Sequence, residues 1–218
     1  MIRRAVPGDA ASLARLIELI WHDDKPSADP IARASSDTNR ATFVFDDGKI
    51  AGFVDAFSTI SAEGVCRWEV DLLGVRADVQ GKGFGRALVA AALEAGRDFG
   101  ATMAQALVRT DNAAALKTFM RCGFAVDDAI QGLYVSDRDV DERLPTPTGA
   151  CLLSVMTLTY SGVWVEGDWS AETLHYAQAV RTRYRWDVAG AVIPTGRGSA
   201  AETGYDLAGQ YHWLRLEY

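Results

Sequence analysis

No stretch of this chain reaches the ~18 consecutive apolar residues that a membrane span requires, so no span is expected. The first residues, Met1-Ile2-Arg3-Arg4-Ala5-Val6-Pro7-Gly8-Asp9, lack the apolar run of a secretion signal. Cysteine is scarce. Cys66, Cys122 and Cys151 are odd in number and widely spaced, which leaves no metal-ligand cluster and suits free, buried thiols in a reducing cytoplasm. Positive charge is in the minority, 22 Lys and Arg against 29 Asp and Glu, for a net charge of −7 and a pI near 5.0. Nucleic-acid binding wants a basic face, and this balance argues against one. An acidic surface tolerates, and attracts, a cationic amine. The three histidines, His22, His175 and His212, lie outside the motifs described next.

Two phosphate-binding patterns are also missing. No Gly-Lys-Ser or Gly-Lys-Thr completes a P-loop, and no glycine run has the spacing of a dinucleotide fingerprint. What is present is Gln80-Gly81-Lys82-Gly83-Phe84-Gly85-Arg86, with glycine at every second position. It follows a buried-strand pattern, Val65 to Val75, and opens a helix whose Phe84, Leu88, Ala91, Ala95 and Phe99 recur at spacings of three and four. Glycines at a helix start let backbone N–H groups approach an anion, and the positive helix end adds attraction. The expected guest is a phosphate or pyrophosphate.

The pattern Gln-x-x-Gly-x-Gly after a strand ending Leu73-Gly74-Val75 resembles the acyl-CoA pyrophosphate loop of the Gcn5-related N-acetyltransferases. A second signature of that family, an Asn before a helix ending in Gly-Phe, resembles Asn112, Phe119 and Gly123-Phe124. The resemblance covers about residues 1 to 160. It implies an α+β fold: a mixed, mostly antiparallel central sheet with helices on both faces. It also implies acetyl-CoA as cosubstrate, no metal, and an amine acceptor, either a small cationic molecule or a protein or peptide. Residues 161 to 218 lie beyond it. Ser170 can cap a helix there, strands are expected over Val188 to Ile193 and Gln210 to Glu217, and Trp164, Trp169, Trp186 and Trp213 are too many for a disordered tail. The segment is expected to be a small α+β appendage that docks on the main domain or on a second subunit of a homodimer.

The resemblance also distributes roles. Backbone groups of Leu73 and Val75 would pair with the pantetheine arm, and the Val75 N–H would face the thioester oxygen. The backbone from Gln80 to Arg86, with the charges of Lys82 and Arg86, would hold the pyrophosphate, and Asn112 would contact the cofactor. Glu69 stands six residues before Val75, where Gcn5-like members carry a glutamate base. Asp71, two residues on, shares its face and can raise a neighbouring carboxyl's pKa. The family's usual acid, a tyrosine seven residues after the Asn, is Phe119 here, an apolar wall with no proton to give; Tyr134 or water would substitute. That departure keeps open a second class of function, an acyl-CoA sensor without efficient turnover. Two acidic stretches remain: His22-Asp23-Asp24 at the end of the first helix, and Ser136 to Gly149, whose Asp137, Asp139, Asp141 and Glu142 form either a solvated loop or a rim for cationic acceptors.

Overall fold

A computed structural model describes residues 1–22, 26–197 and 200–218. Asp23 and Asp24 lie outside these residues. The chain runs β1 (Ile2–Arg4), α1 (Ala10–Ile20), α2 (Ala28–Ala34), β2 (Arg40–Asp46), β3 (Ile50–Ile60), β4 (Cys66–Val75), α3 (Phe84–Phe99), β5 (Met103–Arg109) and α4 (Ala113–Arg121). It continues through β6 (Ala125–Ser136), β7 (Cys151–Met156), β8 (Ser161–Glu166), α5 (Ala171–Tyr184), β9 (Val188–Pro194) and β10 (Asp206–Glu217). All ten strands form one sheet, in the order β1-β2-β3-β4-β5-β10-β6-β9-β8-β7. Among the described residues only β4–β5 and β8–β9 pair in parallel, so the sheet is mostly antiparallel, as expected.

Residues 161–218 are therefore woven into the sheet. β10 lies between β5 and β6, paired with Met103–Arg109 on one side and with strand β6 on the other. A division after Tyr160 would cut the β7–β8 hairpin. The segment from β7 to β9 is an excursion of the chain between β6 and β10, two neighbouring strands of the sheet. Truncation after Tyr160 is predicted to leave β5 and β6 with unpaired edges and to give aggregated protein, checked by solubility and gel filtration. A soluble truncated protein with native acyl-CoA binding would contradict this topology.

Side-chain alternation sorts the two faces. Trp68 and Val70 of β4, Ala104, Ala106 and Val108 of β5, and Leu214 of β10 face a cluster under α3 and α4. Val163 and Val165 of β8 and Ala189, Ala191 and Ile193 of β9 face a second cluster that includes Leu174 and Ala177 of α5. The opposite face receives α1 and α2 through Leu13, Leu16, Ile17, Ile31 and Phe53. That same face carries Glu69, Gln105, Trp213, Leu133 and Trp164 into a cavity.

The sheet also curls, as twisted sheets of many strands do. β8 is five places from β4 in strand order, yet Arg67 of β4 pairs with Glu166 of β8. Arg40 of β2 donates to the Met156 carbonyl, and Leu158 in the β7–β8 turn is buried in the α1–α2 cluster. The excursion is thereby folded back as a roof over the middle of the sheet. Asp9 precedes α1, but its carboxylate takes Arg3 at 2.7 Å and the Val6 N–H at 2.9 Å instead of capping the helix.

Candidate active site

The site begins at an irregularity in β4. Opposite β3, Ala56 pairs with Val70 and Asp55 with Leu72, so Asp71 is an extra residue, a β-bulge. Parallel pairing of β4 with β5 runs from Arg67–Met103 to Glu69–Gln105 and stops there. A bulge bends its strand, and β4 turns away from β5 just past Glu69. Between Leu72–Val75 and Ala106–Arg109 a wedge opens in the sheet. The Arg76 N–H bonds the Ala51 carbonyl on β3. By alternation, the backbone groups of Leu73 and Val75 then point the other way, into the wedge. The Val75 carbonyl accepts from Gln80 Nε2 at 2.8 Å.

The glycine-rich loop closes the mouth of this wedge. Gly81 and Gly83 have φ of +76° and +86°, conformations that favour glycine, and space is open where each Cβ would be. Gly83 caps α3, and its carbonyl accepts the Ala87 N–H at 3.1 Å. Among the described residues, no acceptor meets the amides from Gly81 to Arg86. Phe84 anchors the loop by stacking on Phe45, ring centroids 3.7 Å apart. Gly85 passes close to Thr118, Val75 and Leu73. Lys82 and Arg86 are exposed beside the amides. Unpartnered N–H groups, a helix start and two cations fit a pyrophosphate. Asn112 caps α4, its Oδ1 accepting the Ala115 N–H at 3.0 Å, which is a structural use of that side chain.

Phe119 lies elsewhere. It is 3% exposed, packed edge-on against Phe124 in the core under α3 and α4, and is not part of the cavity wall. Phe119→Tyr is predicted to bury an unsatisfied hydroxyl at a cost of ~1–3 kcal/mol with no gain in rate. Differential scanning fluorimetry should show a melting temperature several degrees lower. Tyr134, the expected donor, is also absent from the cavity wall. It faces the α5 side with the cluster around Ala191, the face opposite its neighbour Leu133, which lines the cavity.

At the tip of the wedge, on the face of α1 and α2, a cavity of about 320 Å³ is lined by β4, β5, β10 and the β7–β8 roof. Both candidate carboxylates reach it, with very different surroundings. Glu69 accepts from Thr59 Oγ1, from Gln105 Nε2 at 2.9 Å and pairs with Arg67 Nε at 3.4 Å. Gln105 in turn accepts from Trp213 Nε1 at 3.2 Å. Burial raises the Glu69 pKa, while Thr59, Arg67 and Gln105 hold it down. Asp71 has no such company: its buried Oδ2 lacks any hydrogen-bond partner. Burial first, then the nearby charges of Asp55 and Glu69, push the Asp71 pKa up to about 7 against the opposing pull of Arg40. Asp55 is itself fully buried, paired with Arg40 and accepting from Thr42 Oγ1 at 2.7 Å.

The tyrosines at the cavity are Tyr160, from the β7–β8 turn, and Tyr211, from β10. Burial and the adjacent Asp71 hold the Tyr160 phenol protonated, well above its ordinary range. Sequence reading missed Gln105, Tyr160, Trp164, Glu166, Trp169, Tyr211 and Trp213 at this site. The abundance of tryptophan after residue 160 was the available signal, and it indicated folding without indicating where the rings point. None of Asp137, Asp139, Asp141 and Glu142 lines the cavity; Asp139 pairs with Arg181 of α5 at 2.6 Å. His22, His175 and His212 are also absent from its wall. The three cysteines are free but only half-buried. Among the described residues, no group of metal-ligating side chains occurs, and no helix is long and apolar enough to cross a membrane.

A family model for acetyltransferases of the GNAT family matches residues 10–124, just over half of the chain. The chain belongs to the GNAT acetyltransferase family. The match ends at Phe124, so it takes in the wedge, the glycine loop and both carboxylates but none of the roof. Solved structures extend the likeness of fold further. A Gcn5-related N-acetyltransferase from Sphaerobacter thermophilus is 16% identical, with TM-score 0.62 over 100% of this chain and 95% of that one. The glucosamine N-acetyltransferase region of a fungal multi-domain β-N-acetylglucosaminidase is 14% identical, with TM-score 0.66 over 99% of this chain and 38% of that one. A GNAT acetyltransferase from Streptococcus pneumoniae is 22% identical, with TM-score 0.50 over 66% of this chain and 92% of that one. No curated protein sequence matches the chain.

Proposed function

We propose that this GNAT protein is an N-acetyltransferase that moves an acetyl group from acetyl-CoA to a primary amine by direct attack on the thioester. One observation carries the reading. The split between β4 and β5 joins a row of unpartnered loop amides on one side to an unpartnered, buried carboxylate on the other.

Bound acetyl-CoA would supply a thioester whose C–S bond breaks as the amine nitrogen bonds the acetyl carbon, giving an amide and the CoA thiol. The chain's own residues divide the remaining work. The amides of Gly81 to Arg86, with Lys82 and Arg86, hold the pyrophosphate. Leu73 and Val75 turn backbone groups to the pantetheine arm, and the Val75 N–H faces the thioester oxygen. Asp71 accepts the proton that the ammonium must lose before its nitrogen can attack. A carboxyl with a pKa of about 7 is matched to that task at neutral pH. Glu69, fixed by Thr59, Gln105 and Arg67, adds negative charge that draws the ammonium in and helps keep Asp71 basic. Tyr160, a protonated phenol beside Asp71, takes the place expected of Tyr134 as the donor to the departing thiolate.

Thiol release from acetyl-CoA in the presence of an amine panel tests this directly. Release that depends on both substrates, with acetylated amine found by mass spectrometry, is the expected result. Saturable CoA binding with no thiol release for any amine would instead favour the sensor reading.

A further inference from the structure

The cavity beyond Asp71 has a shape and chemistry of its own. Resting on the acyl-transfer reading above, we propose that the acceptor is a primary amine on a flat apolar body without anionic groups, an arylalkylamine in chemical class.

The walls are the first reason. Trp164 of β8 lies across Gly190 of the neighbouring strand β9, and a Cβ at Gly190 would come within 2.5 Å of the indole ring. Only glycine at 190 lets Trp164 lie flat as a wall. Tyr160, Trp169, Tyr211 and Trp213 complete an aromatic enclosure. Flat apolar bodies pack on such rings by offset or edge contacts.

Length and closure come next. Along β4, Asp71 stands four residues from Arg67, roughly 13 Å at the rise of a strand. The Arg67–Glu166 pair closes the far end, and Glu166 also accepts the Ala62 N–H at 3.1 Å. A cavity of about 320 Å³ bounded in this way at its far end has the size for a small molecule.

Charge and hydrogen-bonding capacity narrow the class further. Glu69, Asp71 and Glu166 face one cation, Arg67, whose guanidinium is already shared among Glu166, Glu69 and Thr59. Among the described residues, no free positive group lines the cavity to receive a carboxylate, so an amino acid is disfavoured against its decarboxylated amine. A second ammonium would have to displace Arg67 from Glu166. The buried Nε1 groups of Trp164 and Trp169 have no partner, so each offers a donor to a polar group on the ring. A polyhydroxylated acceptor would have to set several of its hydroxyls against the apolar ring faces of this wall.

The test compares kcat/KM for tyramine, tyrosine, spermidine and kanamycin, read as CoA-thiol release from acetyl-CoA. Tyramine should lead, by about tenfold or more over tyrosine. Gly190→Ala, which tilts Trp164, should raise the tyramine KM by ~10–100-fold while CoA affinity by calorimetry stays unchanged. Should Gly190→Ala fail to fold, Trp164→Leu reads the same wall. Preference for tyrosine, spermidine or kanamycin, or an unchanged tyramine KM in the wall variant, would overturn this inference and leave acyl transfer standing. No thiol release with any of the four amines, despite CoA binding, would overturn both.

Discussion

Asp71→Asn is expected to lower kcat/KM for the amine by ~10²–10⁴-fold while leaving CoA affinity within a few-fold of wild type. The substitution keeps the shape of the side chain and removes the one buried carboxylate oxygen in the wedge that no donor satisfies. In the wild type, kcat/KM should rise with pH through about 7 as Asp71 loses its proton. That limb should vanish in Asp71→Asn. Glu69→Gln should give a smaller loss and retain the limb, because Glu69 is already engaged by three side chains. The opposite ranking of the two variants would return the base to Glu69.

A stability signature accompanies the kinetic one. The folded-state pKa of Asp71 lies above its unfolded value, so the folded protein prefers the neutral carboxyl. Its contribution is complete below the unfolded value near 4 and is lost as pH rises to about 7, by up to ~4 kcal/mol. Ionised Asp71 therefore works against the fold at the pH where it acts as a base. Burial also raises Asp55 and Glu69, so the wild-type slope is shared among three carboxyls. Asp71→Asn should flatten it partially, with melting temperatures at pH 5 and pH 8 drawn closer together.

Gly83→Leu is expected to weaken CoA binding by ~100-fold or more, measured by calorimetry, in a protein whose circular dichroism is unchanged. Gly83 sits at φ +86° with open space at its Cβ position, so a larger side chain meets no wall. The left-handed conformation costs such a residue ~1–2 kcal/mol, tolerable for a folded domain. The side chain would occupy the space over the amides that the pyrophosphate needs, and each lost charge-assisted hydrogen bond costs ~1.5–3 kcal/mol. Tight CoA binding by folded Gly83→Leu would place the cofactor elsewhere.

The truncation and these two substitutions probe different levels of the architecture. Phe119 shows why that matters. Its position seven residues after Asn112 matched a motif, yet its ring belongs to the core beside Phe124. A motif fixes spacing along a helix, and the neighbours of each face fix which side meets the cofactor.

What the sequence determined by itself is what depends on neighbours close along the chain. The stretch from Glu69 to Leu88 announced a strand, a glycine loop and a helix, because strand burial, left-handed glycines and helical periodicity are local properties. Helix α3 runs between the residues its pattern predicted, Phe84–Phe99. Asn112 and Ser170 cap helices, as their types suggested. Glu69 and Asp71 were recognised as one face of one strand. Only the tertiary structure decided the rest. Alternation marks a strand without naming its partner, so nothing in Asp206–Glu217 revealed that β10 lies between β5 and β6. The bulge at Asp71 exists through its register against β3, a long-range choice. The curl that brings Tyr160, Trp164 and Glu166 onto the face of β4 depends on the twist accumulated over the intervening strands. Those contacts, far apart in sequence, strip Asp71 of water and turn an ordinary aspartate into a candidate base.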